Sequence, residues 1–271
     1  MSARARIAAL AATAAVVPWL VTASGSSATS SVIGRQSRVS GVAIAGGDVY
    51  IWSEHRSVQT GGGCTIAFPV RSRTTHRLGV LSAGHCVRTL DGGPAYEVHQ
   101  TQRLGSEGTS PGDLLGRVEP GGARLGKHGD NAFVRLVAHR TARPRLFVGP
   151  VFTTKTIPVA GRMKLRKGLS VCYSGASSGE HCGYTVVGGP ETVMFKEGNQ
   201  DLHISHEWRA SRATCTSRRG DSGSPVYVRR GGKAYAVGIL SGGQRKAGEC
   251  PFFFTPVGLA LKTLNLKLLT Q

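Results

Sequence analysis

The sequence predicts an all-β fold, and three observations carry that reading. Glycine is abundant, at 38 of 271 residues, whereas aromatic residues make up only 6%. From about Val39 onward, short apolar runs alternate with clusters of Gly, Ser, Asp and Pro. Only the last stretch of the chain carries a helical pattern. Many turns between short strands fit a β-barrel or sandwich better than a helix bundle. Apolar residues reach 40%, enough for a sizeable core, which argues against global disorder. The length suits one large domain or two small barrels folded together.

Taken in order, the chain opens with Arg4 and Arg6 before an apolar stretch from Ile7 to Ala23, and small residues follow. That is the layout of a secretory signal peptide. Residues 1–23 are expected to be that signal, with cleavage after Ala23 or as late as Ala28. Pro18 and the modest hydrophobicity argue against a retained membrane anchor. No other apolar stretch is long enough to span a bilayer. Residues 24–43 read as a short pro-segment or N-terminal arm, and residues 44–271 as the folded domain. Its strand candidates are Val49-Tyr50-Ile51, Thr65 to Val70, Leu78 to Leu81, Ala132 to Leu136, Val226 to Val228 and Ala234 to Leu240. From Pro256 to Leu269, the residues Leu259, Leu261, Leu264 and Leu268 fall roughly on one face of a helix.

The formal charge is +19, from 34 basic and 15 acidic residues. An excess of this size favours anionic partners. The basic residues are nevertheless scattered into short pairs such as Arg218-Arg219, Arg229-Arg230 and Arg245-Lys246. Neither zinc-finger spacing nor an RNA-binding aromatic motif accompanies them, so no specific nucleic-acid partner is expected. The charge reads first as a solvated basic surface, and second as a surface for anionic partners. Six cysteines, Cys64, Cys86, Cys172, Cys182, Cys215 and Cys250, all follow the signal. An even count in an exported chain implies three disulfides, and the count alone leaves their connectivity open. There is no Cys-x-x-Cys pair. The string His203, His206, Glu207 matches no zinc-protease spacing. Neither a metal nor a cofactor is expected.

Three motifs carry chemistry. In Gly220-Asp221-Ser222-Gly223-Ser224-Pro225, glycines on either side of Asp-Ser permit a tight backbone turn. A serine on such a turn becomes a nucleophile once a base takes its proton. The N–H groups of Gly220 and Ser222 then form a hole for the oxyanion of acyl transfer. In Leu81-Ser82-Ala83-Gly84-His85-Cys86, a strand-like run ends in small residues before a histidine beside a cysteine. A disulfide there would fix the backbone of a general base. In Gly129-Asp130-Asn131-Ala132-Phe133-Val134, an aspartate precedes a strand, where a buried carboxylate could hold the imidazole. Asp91, Asp113 and Asp201 are rivals, but none leads into so clear a strand. The chain order His, Asp, Ser sets this arrangement apart from the subtilisin and α/β-hydrolase orders.

These motifs resemble those of the chymotrypsin-like (trypsin-fold) serine peptidases, specifically the bacterial α-lytic protease and streptogrisin branch. The resemblance runs from about Ile44 to the C-terminus. Beyond the three motifs it includes Ala45 to Tyr50, the loop from Cys172 through Cys182 to Gly183, and Gly238-Ile239-Leu240-Ser241-Gly242-Gly243. It implies two six-stranded antiparallel β-barrels with a C-terminal helix. His85 and Asp130 would come from the first barrel, and Ser222 from the second. The implied pairings are Cys64–Cys86, Cys172–Cys182 and Cys215–Cys250. Ser241 is implied to bond the aspartate, and Ser241 to Gly243 to bind substrate backbone. The implied activity is that of a secreted, monomeric serine endopeptidase acting on polypeptides through an acyl-enzyme on Ser222. A non-catalytic member of the fold that binds peptides or anionic surfaces, and a secreted esterase, are the alternatives.

The chain departs from the branch in three ways. Only a short stretch separates the signal from the first strand. The segment after Cys250 is short. Tyr173 stands where many relatives have an arginine that pairs with the aspartate before the nucleophile. Asp221 then needs another partner, either the Tyr173 hydroxyl or a new α-amino group on Val39. Around the primary pocket, Ala213 and Thr214 are uncharged, and Leu240 stands where glutamate-specific relatives carry a histidine. Gly242 and Gly243 leave the entrance open, and Phe252 to Phe254 supply an apolar wall, with Glu249 at the rim. An apolar or aromatic residue before the cut is therefore expected, because a charge in such a pocket would be left unpaired.

Overall fold

Side chains alternate across a β-pleat, so each short apolar run becomes a strand with one buried face. A computed structural model describes residues 43–46, 50–54, 63–87, 97–103, 109–151, 153–197, 200–244 and 248–271. The expected signal peptide and arm lie outside the described residues, apart from Ala43. The N-terminal half contains β1 (Ala43–Gly46), β2 (Tyr50–Glu54), β3 (Cys64–Thr65), β4 (Pro69–Ser72), β5 (Leu78–Ser82), β6 (Glu97–Arg103), β7 (Thr109–Arg117), β8 (Ala123–Arg124) and β9 (Asn131–Leu136). It is followed by β10 (Thr141–Phe147), β11 (Thr156–Arg162), β12 (Ser170–Gly175), β13 (Gly179–Glu197), β14 (Gln200–Ser211), β15 (Pro225–Arg230), β16 (Lys233–Gly243) and β17 (Phe252–Pro256). Helix α1 (Val257–Thr263) and β18 (Leu266–Leu268) complete the described order.

The second half closes on itself. Its strands run β16-β15-β12-β13-β14-β17, all antiparallel, and β17 pairs back with β16 to make a six-stranded barrel. Val171, Tyr173, Tyr184, Val226, Phe252 and Phe254 fill it. The first half is an antiparallel sheet ordered β18-β4-β5-β9-β7-β6-β2-β3, with β8 against β9. Among the described residues no strand pairing joins the ends of this sheet, so closure of the first barrel is seen only in part. Ile66, Val80, Val98, Leu115 and Val134 form its core. A third cluster takes Phe68, Leu81 and Phe133 from the first half and Tyr227 and Ile239 from the second, with Val257 and Leu261 of α1 beside them. Full burial of each such side chain contributes about 1.5–3 kcal/mol, so this shared cluster welds the halves together.

Two expectations about elements need correction. The run Thr65 to Val70 is two strands rather than one. Between β3 and β4, Ala67 N–H donates to Leu81 O and Leu81 N–H donates to Phe68 O. The helical pattern expected to reach Leu269 stops at Thr263. Leu264 N–H still bonds Ala260 O, but Asn265 turns left-handed at φ 51°, a conformation that ends helices. Leu266 and Leu268 then point inward from a strand paired with β4, not from a helix face. No helix among the described residues is long and apolar enough to cross a membrane.

Candidate active site

His85 opens a three-residue 3₁₀ turn just beyond β5, and the Cys64–Cys86 disulfide pins that turn to β3. Gly84 is required there, because a side chain would overlap the Arg124 carbonyl. Asp130 is fully buried and grips His85 twice. Oδ1 accepts the His85 backbone N–H at 2.8 Å, and Oδ2 accepts Nδ1–H at 2.6 Å. A carboxylate partner places the proton on Nδ1, which leaves Nε2 as the basic nitrogen of the neutral ring. Nε2 lies 3.7 Å from Cys86 Sγ. The Asp130 N–H donates to Thr255 Oγ1 of β17 at 2.8 Å, so the second half seats the aspartate of the first. Gly129, at φ 81°, lies against the same threonine.

Ser222 sits in the loop between β14 and β15. Its carbonyl accepts Thr65 N–H at 2.7 Å, and Gly223 N–H donates to Leu240 O at 2.7 Å. Gly223, at φ 85°, packs so closely on Thr65 O and Ser82 Oγ that no side chain fits. The serine loop is therefore held against β3 and the end of β5, the segments that lead to His85. Ser222 Oγ donates to Ser241 O at 3.3 Å. Gly220 takes φ 94°, and its carbonyl accepts Thr65 Oγ1–H at 2.7 Å. Among the described residues, neither the Gly220 nor the Ser222 N–H donates to a protein acceptor.

Asp221 is buried, and backbone amides hold its carboxylate. Ser177 and Ser178 N–H reach Oδ1 at 3.2 and 3.1 Å, and Arg218 N–H reaches Oδ2 at 2.8 Å. Burial pushes this carboxyl up to about 6, against the pull of those donors. The Tyr173 hydroxyl, one expected partner, instead bonds Thr216 Oγ1 at 3.0 Å and Ser178 Oγ at 3.3 Å. Burial pushes that phenol far above the ordinary tyrosine range. Val39, the other expected partner, lies outside the described residues.

The remaining expected site residues are placed as follows. Ser241 is buried and gives its carbonyl to Ser222, its Oγ makes no hydrogen bond of normal length among the described residues, and Glu207 lies near it. Gly242 is covered by the Phe195 ring, and Gly243 meets the Ser217 hydroxyl, so the expected open entrance is partly walled. Strand alternation sends Phe252 and Phe254 into the barrel and Phe253 the other way, onto Phe195 at 5.7 Å. Ala213 and Thr214 are exposed beside the Cys215–Cys250 bridge rather than buried at a pocket base. Cys172–Cys182 completes the three pairings that the resemblance implied. Of the rival aspartates, Asp113 is exposed and pairs with Arg140, Asp201 is exposed, and Asp91 lies outside the described residues. The Cys64-His85-Cys86 and Cys172-Glu180-Cys182 groupings have their sulfurs tied in disulfides, which removes the thiolates a metal would need.

The sequence brought up Glu207 only within a string dismissed as a metal motif, and Thr255 not at all. Glu207 is fully buried, and its Oε1 accepts Thr255 Oγ1–H at 2.5 Å. Burial raises its carboxyl well above the usual range, and the nearby Asp130 charge adds to the rise.

A histidine clamped by a buried carboxylate, beside a serine on a glycine-flanked turn where two β-halves meet, is the frame of the trypsin-like peptidases. A family model described as Trypsin matches residues 51–264, and the chain belongs to that family. Streptogrisin-C of Streptomyces griseus is 30% identical over 232 residues, covering 84% of this chain and 41% of that protein. The chain thus spans about two fifths of that relative's length. Thermobifida fusca Protease A superposes with a TM-score of 0.61 at 27% identity, over 85% of this chain and all of that one. Cellulomonas bogoriensis chymotrypsin gives 0.58 at 25%, over 84% of this chain and again the whole of that one. The family and these relatives support a peptidase.

Proposed function

We propose that the chain is a secreted serine endopeptidase in which Ser222 forms the acyl-enzyme, His85 is the general base and Asp130 orients it. The observation that carries this reading is the double grip of Asp130 on His85 beside the Ser222 loop. In the reaction, Ser222 Oγ turns from the Ser241 carbonyl toward His85 Nε2. It gives up its proton there and attacks the scissile carbonyl. The N–H groups of Gly220 and Ser222 receive the oxyanion. The imidazolium, steadied by Asp130, returns the proton to the leaving amine. Water activated by His85 then hydrolyses the ester. Ser241 to Gly243 offer backbone to an extended substrate. Thr216 and Ser217, half-buried with Ser217 against Gly243, are uncharged, while Arg212, Arg218 and Arg219 are close in sequence. That setting favours apolar or aromatic residues before the cut and disfavours Lys and Arg. Three disulfides suit an oxidising compartment and so support export with loss of residues 1–23.

A second reading, a non-catalytic peptide-binding member, draws on one observation: Ser222 Oγ points to the Ser241 carbonyl. Fluorophosphonate labelling separates the two. The wild-type protein is expected to label and to cleave a mixed peptide library. Ser222→Ala should abolish labelling and lower kcat by about 10⁶-fold. Near-normal hydrolysis by that variant would remove the assignment. Comparing ester with polypeptide turnover separates an esterase from an endopeptidase.

A further inference from the structure

A carboxyl group fully withdrawn from water needs either a cation or a proton. Glu207 has no Lys or Arg partner among the described residues. The groups that bear on it come from four places: Thr255 on β17, Ser241 on β16, Asp130 just before β9, and His85 in the turn after β5. Thr255 Oγ1 spends its one proton on Glu207 Oε1, which fixes Oε1 as an acceptor. The lone pairs of the same hydroxyl take the Asp130 N–H. Two buried polar atoms remain without a hydrogen-bond partner, Glu207 Oε2 and Ser241 Oγ, and the two side chains lie close enough to act on each other. A proton on Oε2 satisfies both, and an ionised Glu207 satisfies neither unless the serine donates. An ionised Glu207 would also set a second anion beside Asp130, which repels it.

We propose that Glu207 is a positioning residue for the Asp130–His85 pair, working as a neutral carboxylic acid that accepts from Thr255, donates to Ser241 and so locks the aspartate loop to strand β16. This rests on the reading of Ser222, His85 and Asp130 as the reacting set. The chain runs from Asp130 N–H to Thr255 Oγ1 and from Thr255 Oγ1 to Glu207, passes through the proposed Glu207–Ser241 bond, and ends with the Ser241 carbonyl at Ser222 Oγ. It therefore links the orienting carboxylate to the nucleophile behind the imidazole, across the junction of the two halves. Its neutrality leaves Asp130 as the one anion facing the ring from this side.

The test uses the purified, active enzyme. Infrared difference spectra between wild type and Glu207→Gln should show the carbonyl stretch of a protonated carboxylic acid in the wild type at neutral pH. Glu207→Leu, which keeps bulk but no hydrogen bonds, should lower kcat by about tenfold or more with little change in KM, since small misplacements of reacting groups carry costs of this order. Glu207→Gln, which can accept from Thr255 and donate to Ser241, should restore most of that loss and leave the acid limb of the kcat/KM profile in place. Thr255→Val breaks the same chain from the other side and should reproduce the kcat loss, even if Glu207→Leu fails to fold. The proposal is overturned if the protonated band is absent. It is also overturned if Glu207→Gln moves the acid limb to lower pH, as removal of a buried anion would, or if Thr255→Val changes stability alone. If Ser222→Ala retained activity, the catalytic reading would fail, while the infrared band would still report the state of Glu207.

Discussion

Asp221 is buried and held by three amide donors, with no ion pair to it among the described residues. Its folded pKa, about 6, lies above the 3.8 of the free side chain, because burial outweighs the donors. The native state therefore binds this proton more tightly than the unfolded chain does. Between those two values the group stabilises the fold as pH falls, and that stability is lost as pH rises through about 6. From this residue alone the swing is about 3 kcal/mol. Asp221→Asn should flatten the stability curve between about pH 4 and 6, read as urea midpoints at several pH values. A wild-type curve no steeper than the variant's would contradict it. Gly175 belongs to the same device, since a side chain there would strike the Asp221 carboxylate. The motifs around Ser222, His85 and Asp130, on which the proposed function rests, were conspicuous because each is a short local string. Glu207 was not, because its partners Thr255 and Ser241 are brought to it only by the pairing of β14 with β17 and β17 with β16.

A bulge explains why β14 misled a reading by alternation. Glu191 pairs with Glu207 and Val193 with Ile204, so β14 spends three steps where β13 spends two. His206 takes φ 65° at that point. Regular alternation from Ile204 would turn His206 inward. The extra residue leaves His203 and His206 exposed and buries Glu207 instead. The string that had failed as a metal motif is thus split between two faces of the strand. The C-terminal elements were legible in kind but not in extent. Leu261, Leu264, Leu266 and Leu268 all contribute apolar contact, and the left-handed Asn265 separates the helical period from the strand period. Leu261 lies in the cluster shared by both halves, so Leu261→Ala should cost about 2–5 kcal/mol in chemical denaturation, a typical loss for a buried leucine. A loss below 1 kcal/mol would show that α1 contributes little to the junction.

At the scale of the whole molecule, the strand-rich texture and the three disulfides were legible from composition and resemblance, whereas the contacts that join the two halves were not. Those contacts pair residues far apart in sequence, such as Thr65 with Ser222 and Asp130 with Thr255. Removing the Cys64–Cys86 bridge by paired serine substitutions should lower stability by about 2–4 kcal/mol and loosen the turn that carries His85. Thermal unfolding and kcat, measured on the same sample, should both fall. Stability lost with kcat retained would show that Asp130 alone holds the histidine. The pairing of β18 with β4 has a consequence for biosynthesis. Leu266 O accepts from Arg73, 193 residues away, and Leu269 N–H reaches Pro69 O. A chain emerging amino end first therefore exposes the edge of β4 until β18 arrives, and long-range pairings of this kind form slowly. The half that carries His85 and Asp130 is therefore completed only after the strands of the second half have been made.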